Sequence, residues 1–152
     1  MIWYLVRHAK AGSRGKWKGH DVDRPLTASG WAQAEALAER LQKVDPPRLL
    51  SSPYVRCMQT LEPLAERVGL PVEPEWLLAE GEPFDGVVSI LEGLPDGTVL
   101  CSHGDVIPDT IEALIRRGMK VDGLLDWRKG SVWVIERDGA GQWRAHAEPP
   151  PA

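Results

Sequence analysis

The sequence predicts an α/β fold: a three-layer α/β/α sandwich with a mostly parallel central sheet and a C-terminal antiparallel hairpin. Three observations carry this. Short apolar runs alternate with segments of helical periodicity, the pattern of parallel strands joined by crossover helices. The first run, Ile2-Trp3-Tyr4-Leu5-Val6, is apolar at consecutive positions, as a strand buried on both faces requires. Near the C-terminus, two strand-like segments over 131–137 and 142–146 bracket Asp138-Gly139-Ala140-Gly141, a hairpin signal.

Taken in order, residues 2–6 form the first strand and residues 11–24 a polar, Gly- and base-rich loop. Thr27 is placed to cap a helix in which Trp31, Ala34, Leu37, Ala38, Leu41 and Val44 fall at helical spacing, until Pro46-Pro47 ends it. Residues 48–51 make a short second strand. Pro53 opens a second helix that Gly69 stops, with Pro63 expected to kink or break it. Residues 72–75 are a weak strand, and a helix opens at Pro83 or Phe84 and runs to Glu92. After the Pro95-Asp96-Gly97 turn come a strand over 98–101 and a helix over 106–117, with Pro108 tolerated in its first turn. Trp3, Trp127, Trp133 and Trp143 are expected in core or edge packing.

The length of 152 residues suits a single domain with a real core, expected over 1–147, followed by a disordered Pro-rich tail over 148–152. Apolar content of 43% and charged content of 26% are those of an ordinary globular protein. A net charge of −4 argues against a nucleic-acid binder. No run reaches the length of a membrane helix, and the short apolar N-terminus leading into Arg7-His8 is not a signal peptide. Cys57 and Cys101 sit in apolar contexts without metal-ligand spacing. They are expected as reduced core residues of a cytoplasmic protein that uses no metal or other cofactor.

The chemistry lies at the strand ends. The first strand delivers Arg7 and His8, the second leads through Ser51-Ser52-Pro53 to Arg56, and the fourth leads into Ser102-His103-Gly104. Open α/β sheets present reactive groups at such ends. Singly, each Arg or His is an ordinary solvated or hydrogen-bonded residue. Together, Arg7, Arg56 and His103 can bind a phosphate dianion, because Arg is always charged and bidentate, and His8 can attack it. Nearby Arg charges should keep His8 neutral. In the following loop, Lys10, Arg14 and Arg24 with Lys16, Lys18 and Trp17 form either a mobile solvated segment or a basic lip for a polyanionic substrate. Trp17 either stacks on a base or makes an internal cation–π contact.

These motifs resemble the histidine phosphatase superfamily, the phosphoglycerate mutase-like or RHG family, over residues 2–133. The resemblance rests on Arg7-His8-Ala9, Arg24-Pro25-Leu26-Thr27 with Gly30, Ser52-Pro53 with Arg56, Gln59 and Thr60, and Ser102-His103-Gly104. Ala9 replaces the family's Gly, which suggests that the backbone there does without glycine's φ range. The size suggests the small SixA-like branch. The wording of residues 7–17, 23–27, 101–108 and 129–133 is similar to the phosphatase-like C-terminal domain of mycobacterial MutT-type Nudix hydrolases, here expected as a module standing alone. The resemblance implies a phosphohistidine at His8 and a carboxylic acid for the leaving oxygen. Glu80 fits the family's pattern after Leu78-Ala79, with Glu82 and Asp105 as rivals.

The expected function is a metal-independent phosphatase acting on phosphomonoesters or nucleotides. The alternatives are a phosphohistidine phosphatase acting on proteins and a phosphate- or partner-binding module with little turnover. A mutase is disfavoured, because so short a chain offers little to enclose a bisphosphorylated intermediate.

Overall fold

The computed structural model describes residues 1–83 and 85–151. Seven strands and four helices follow one another: β1 (Ile2–Arg7), α1 (Ala28–Leu41), β2 (Leu49–Ser51), α2 (Val55–Val68), β3 (Val72–Pro74), α3 (Asp85–Leu91), β4 (Val99–Ser102), α4 (Val106–Arg116), β5 (Lys120–Asp122), β6 (Val132–Arg137) and β7 (Trp143–Glu148). The strands form one sheet in the order β3-β2-β4-β1-β6-β7-β5. β1, β2, β3 and β4 pair in parallel, and β6 alone runs against its neighbours β1 and β7. This is the expected three-layer sandwich with its closing hairpin.

Alternation along the strands divides the core. Trp3, Leu5, Leu50 and Leu100 point to one face and pack with Val87, Val88 and Leu91 of α3 and Ile107, Ile111 and Leu114 of α4. Val6, Leu49, Val99 and Cys101 point to the other and pack with Leu37 and Leu41 of α1 and Cys57, Leu61 and Leu64 of α2. Trp3 and Trp133 are buried, and Trp143 and Trp127 stack on them. Both cysteines are buried and free. Among the described residues, no helix is long and apolar enough to cross a membrane.

Several local expectations hold and others need correction. Thr27 caps α1, its hydroxyl accepting from the Gly30 amide at 3.1 Å. Gly69 closes α2 in the left-handed region, with φ 71°. α2 opens at Val55 rather than Pro53 and runs unbroken through Pro63. Proline removes one helical hydrogen bond, and the buried flank formed by Leu61, Pro63 and Leu64 holds the helix together around that loss. α3 starts at Asp85; Phe84 lies outside the described residues. The strand β5 was not expected: Lys120-Val121-Asp122 carries no apolar pattern and pairs only at the sheet edge, with β7. The tail expected to be disordered from residue 148 is held at its start. Glu148 pairs with Val132, and the Pro149 carbonyl accepts from Arg40 Nη1 at 3.1 Å.

The segment after β1 is seated on the N-terminus of α1. The Lys10 carbonyl accepts from the Thr27 amide at 3.0 Å and the Thr27 hydroxyl at 3.2 Å. That carbonyl lies so close to Gly30 that a β-carbon there would overlap it. Gly30 thus opens the space through which the chain leaving His8 passes. Gly30→Ala is expected to destabilise the protein by about 1–3 kcal/mol, through a steric overlap that backbone must relieve. Urea denaturation checks this; an unchanged midpoint would show that the loop yields freely.

Candidate active site

The parallel register of β1 and β4 sets Arg7 opposite Ser102. One residue further on, both strands release a histidine at the same sheet edge. The His8 amide donates to the Ser102 carbonyl at 3.1 Å, and the imidazole centroids of His8 and His103 are 5.5 Å apart, edge to face. β2 completes the edge: the Ser52 amide donates to the Cys101 carbonyl at 3.0 Å, and the Ser52 hydroxyl lies 2.8 Å from His103 Nε2. Arg56 projects from the first turn of α2. The four residues singled out at strand ends therefore meet in space.

His8 is 5% exposed. Its Nδ1 lies 2.8 Å from the Ala9 carbonyl, which assigns the proton to Nδ1 and leaves the lone pair on Nε2. Its pKa is pushed down to about 3, chiefly by burial and then by His103, Arg56 and Arg7, against the opposing pull of the Ala9 carbonyl. The imidazole is therefore held in its neutral form near neutral pH. Ala9 has an ordinary negative φ, since Asp45 is the only non-glycine residue with positive φ among those described. The Ala9 amide donates to Thr60 Oγ1 at 2.9 Å, and that hydroxyl donates to the Arg56 carbonyl at 2.7 Å. Thr60 thereby ties the chain at His8 and Ala9 to the helix that carries Arg56.

The cations are braced individually. Arg7 Nη1 donates to the Trp127 carbonyl at 2.6 Å. A β-carbon on Gly104 would stand 2.7 Å from Arg7 Cζ, so the glycine after His103 makes room for the guanidinium. Arg56 is 1% exposed and donates to the Asp21 carbonyl at 2.9 Å and to Asp21 Oδ2 at 3.1 Å. The Tyr54 ring lies 4.9 Å from Arg56 Cζ and meets the His103 ring edge-on at 4.7 Å. The Nε groups of Arg7 and Arg56 are buried without an acceptor among the described residues.

These groups surround a cavity of about 440 Å3. Arg7, His8, His103, Glu80, Arg14 and Arg24 line it; Arg56, buried against Asp21, does not. Two expected recognition residues do not line it. Lys10 is turned outward because its amide is held by Gln33 Oε1 at 3.2 Å and its carbonyl by Thr27. Trp17 borders a separate hollow. Of the proposed proton donors, Glu82 does not bound the cavity. Asp105 does, but its oxygens are engaged, accepting from the Gly81 and Val106 amides at 2.8 Å each. Glu80 reaches the cavity, with Oε1 accepting from Arg14 Nη2 at 2.8 Å and Oε2 3.5 Å from Arg56 Nη2. Both acids thus border the cavity with their oxygens engaged, Glu80 by arginines and Asp105 by the backbone amides of the turn beside it.

Sequence reasoning missed Asp21 and Lys129. Asp21 accepts from Arg24 Nε at 2.9 Å as well as from Arg56. Burial raises its pKa, but Arg24, Arg56 and Arg14 together hold it below the usual carboxylate range. Lys129 lines the cavity, and its pKa is lowered by desolvation first and then by Arg7, Arg24, Lys10 and Arg56. No pattern marks Asp21 within its loop. Lys129 falls in the 129–133 stretch that carries the resemblance, but only the fold brings it beside Arg7, where the Gly130 amide donates to the Arg7 carbonyl at 3.0 Å. Cys57, expected as a core residue, also lies against His103, with Sγ 3.5 Å from Nε2.

Two histidines and the cations Arg7, Arg14, Arg24 and Lys129 around one cavity at the C-terminal edge of a parallel sheet make a site suited to a phosphoryl group. Residues 3–87 match the family model described as histidine phosphatase superfamily, branch 1, and the chain belongs to that superfamily. It is 39% identical over 137 residues to the 8-oxo-(d)GTP phosphatase of Mycolicibacterium smegmatis, covering 86% of this chain and 42% of that protein. It is 36% identical over 79 residues to the phosphohistidine phosphatase SixA of Escherichia coli, covering 51% of this chain and 47% of that one. The matches thus span less than half the length of each of these two relatives. The solved structure of the protein histidine phosphatase SixA complexed with tungstate superposes with a TM-score of 0.74 at 25% identity, covering 95% of this chain and 94% of that one.

The depressed His8 pKa has a thermodynamic consequence. The unfolded imidazole takes up a proton near pH 6.5 and the folded one only near 3. Stability is therefore full above pH 6.5 and falls as the pH drops towards 3, because the unfolded state binds more protons across that window. The expected loss is on the order of a few kcal/mol. In His8→Gln the stability–pH curve should be flatter over the same window, as measured by denaturant titration; identical curves would contradict the neutral His8.

Proposed function

We propose that the chain is a phosphatase that hydrolyses phosphomonoesters or nucleotides through a phosphohistidine at His8, without a metal ion. The observation that carries this is the neutral, buried His8, whose free Nε2 borders a cavity walled by fixed cations. The Nε2 lone pair forms a bond to phosphorus as the bond to the leaving oxygen breaks. Arg7, Arg56 and His103 balance charge on the three non-bridging oxygens, the main task in a loose transition state. Glu80, which must first take up a proton while it is paired with Arg14 and Arg56, gives that proton to the leaving oxygen. Its carboxylate then takes a proton from water, which attacks the phosphohistidine, releases inorganic phosphate and restores His8. Similarity to the 8-oxo-(d)GTP phosphatase of Mycolicibacterium smegmatis supports the nucleotide branch of this reading.

A second reading is a phosphohistidine phosphatase acting on proteins. The superposition on SixA over nearly the whole of both chains supports it. The non-catalytic binding module is disfavoured, because Glu80 lies in the cavity wall rather than misplaced.

Phosphate release from a mixed panel in the presence of EDTA tests these readings. The panel holds an aryl phosphate, nucleoside mono- and diphosphates, sugar phosphates and a phosphohistidine peptide. Release should persist with EDTA and fall about 10³-fold or more in His8→Ala, as expected when a nucleophile is lost. Preference for nucleotides supports the first reading and preference for the peptide the second. Release equal to that of His8→Ala on every substrate would overturn both.

A further inference from the structure

Next to the catalytic cavity lies a second hollow of about 220 Å3, floored by Pro25 and Leu26 and flanked by Trp17 and Lys16. It shares Gly12, Ser13 and Arg24 with the catalytic cavity, so the two adjoin along one wall. Their chemistry differs: the catalytic cavity is walled by charge, the hollow by a pyrrolidine, an aliphatic side chain and an indole. Trp17 is 38% exposed, yet its ring is held. Its Nε1 donates to the His20 carbonyl at 2.8 Å, and a β-carbon on Gly19 would stand 3.2 Å from Nε1. A fixed indole presents a flat surface at little entropic cost.

We infer that this hollow is the base subsite of a nucleotide, with the phosphoryl group at His8 and the planar base packed against Trp17 over Pro25 and Leu26. The inference rests on the nucleotide branch of the proposed function. Arg24 lines both compartments, so its positive charge lies beside the path from the phosphoryl site to the hollow, with Lys16 at the hollow's margin. A sugar alone would place hydroxyls against an apolar floor without partners. The hollow also reads the base in a limited way. The fixed donors around it are committed: the Leu26 amide to Gln59 Oε1 at 2.9 Å, the Thr27 amide to the Lys10 carbonyl and the Trp17 indole to His20. Proline has no amide hydrogen to offer. The subsite therefore holds a base by stacking, with weak discrimination among bases.

Calorimetric binding to His8→Ala protein tests this without turnover. Guanosine 5′-monophosphate, cytidine 5′-monophosphate and ribose 5-phosphate carry the same phosphorylated sugar, and only the last lacks a base. Both nucleotides should bind about tenfold tighter than ribose 5-phosphate, the scale of one base–aromatic stack. Adding Trp17→Ala should abolish that ratio, and Trp17→Phe should keep most of it. Equal binding of nucleotide and ribose 5-phosphate, or a ratio that survives Trp17→Ala, overturns the inference. So does an equal loss of affinity for a phosphohistidine peptide in Trp17→Ala, which would make the hollow a peptide groove. Failure of the proposed function itself is read separately, as an absence of His8-dependent phosphate release by the unmodified protein.

Discussion

The structure depends on holding concentrated positive charge at one sheet edge around an imidazole that stays neutral. Arg7, Arg14, Arg24, Arg56 and Lys129 gather there against Asp21, Glu80 and Asp105. Burial makes protonation of His8 harder by the largest share, and His103, Arg56 and Arg7 add to it. Charge so arranged repels itself until an anion arrives, and that repulsion gives a phosphoryl group its reason to bind. A buried guanidinium is costly without partners, so Asp21 matters more than an exposed carboxylate would. It meets Arg56 with both a backbone and a side-chain oxygen and meets Arg24 with the other side-chain oxygen.

The remaining motif residues are best understood as bracing for that charge. Gly104 yields its side-chain space to the Arg7 guanidinium, and Gly30 yields its own to the Lys10 carbonyl. Gln33 joins two rims, accepting from the Lys10 amide and donating from Nε2 to the Lys129 carbonyl at 3.0 Å. Ser102, opposite Arg7, turns its hydroxyl away to the Leu78 carbonyl at 2.6 Å, which anchors the turn leading to Glu80. None of these residues needs to touch substrate to be required by the chemistry.

Much of this was legible because it is local. Consecutive apolar residues foretold β1, Thr27 foretold the start of α1, and residues just past strand ends foretold the positions of Arg7, His8 and His103. The rest depends on contacts distant in sequence. Asp21 is one of several polar residues in a loop until α2 brings Arg56 to it. Lys10 adjoins His8 in sequence, yet docking on α1 turns it outward. Trp17 was expected either to stack on a base or to make an internal cation–π contact, and only the fold shows that it borders a hollow beside the cavity rather than the cavity itself. β5 has no apolar signature because it is a three-residue edge strand, and Glu148 is ordered by pairing with β6 rather than by any preference of its own.

The central claim is that His8 carries the phosphoryl group during turnover. The direct measurement is to mix enzyme with excess of its best substrate, quench in alkali within one turnover, where phosphohistidine survives, and map the modified peptide by mass spectrometry. One phosphoryl group on His8, absent in His8→Ala and discharged when substrate is exhausted, is the predicted result. Phosphate released in the first turnover with no phosphoryl group on His8, or with the group on another residue, would contradict the account.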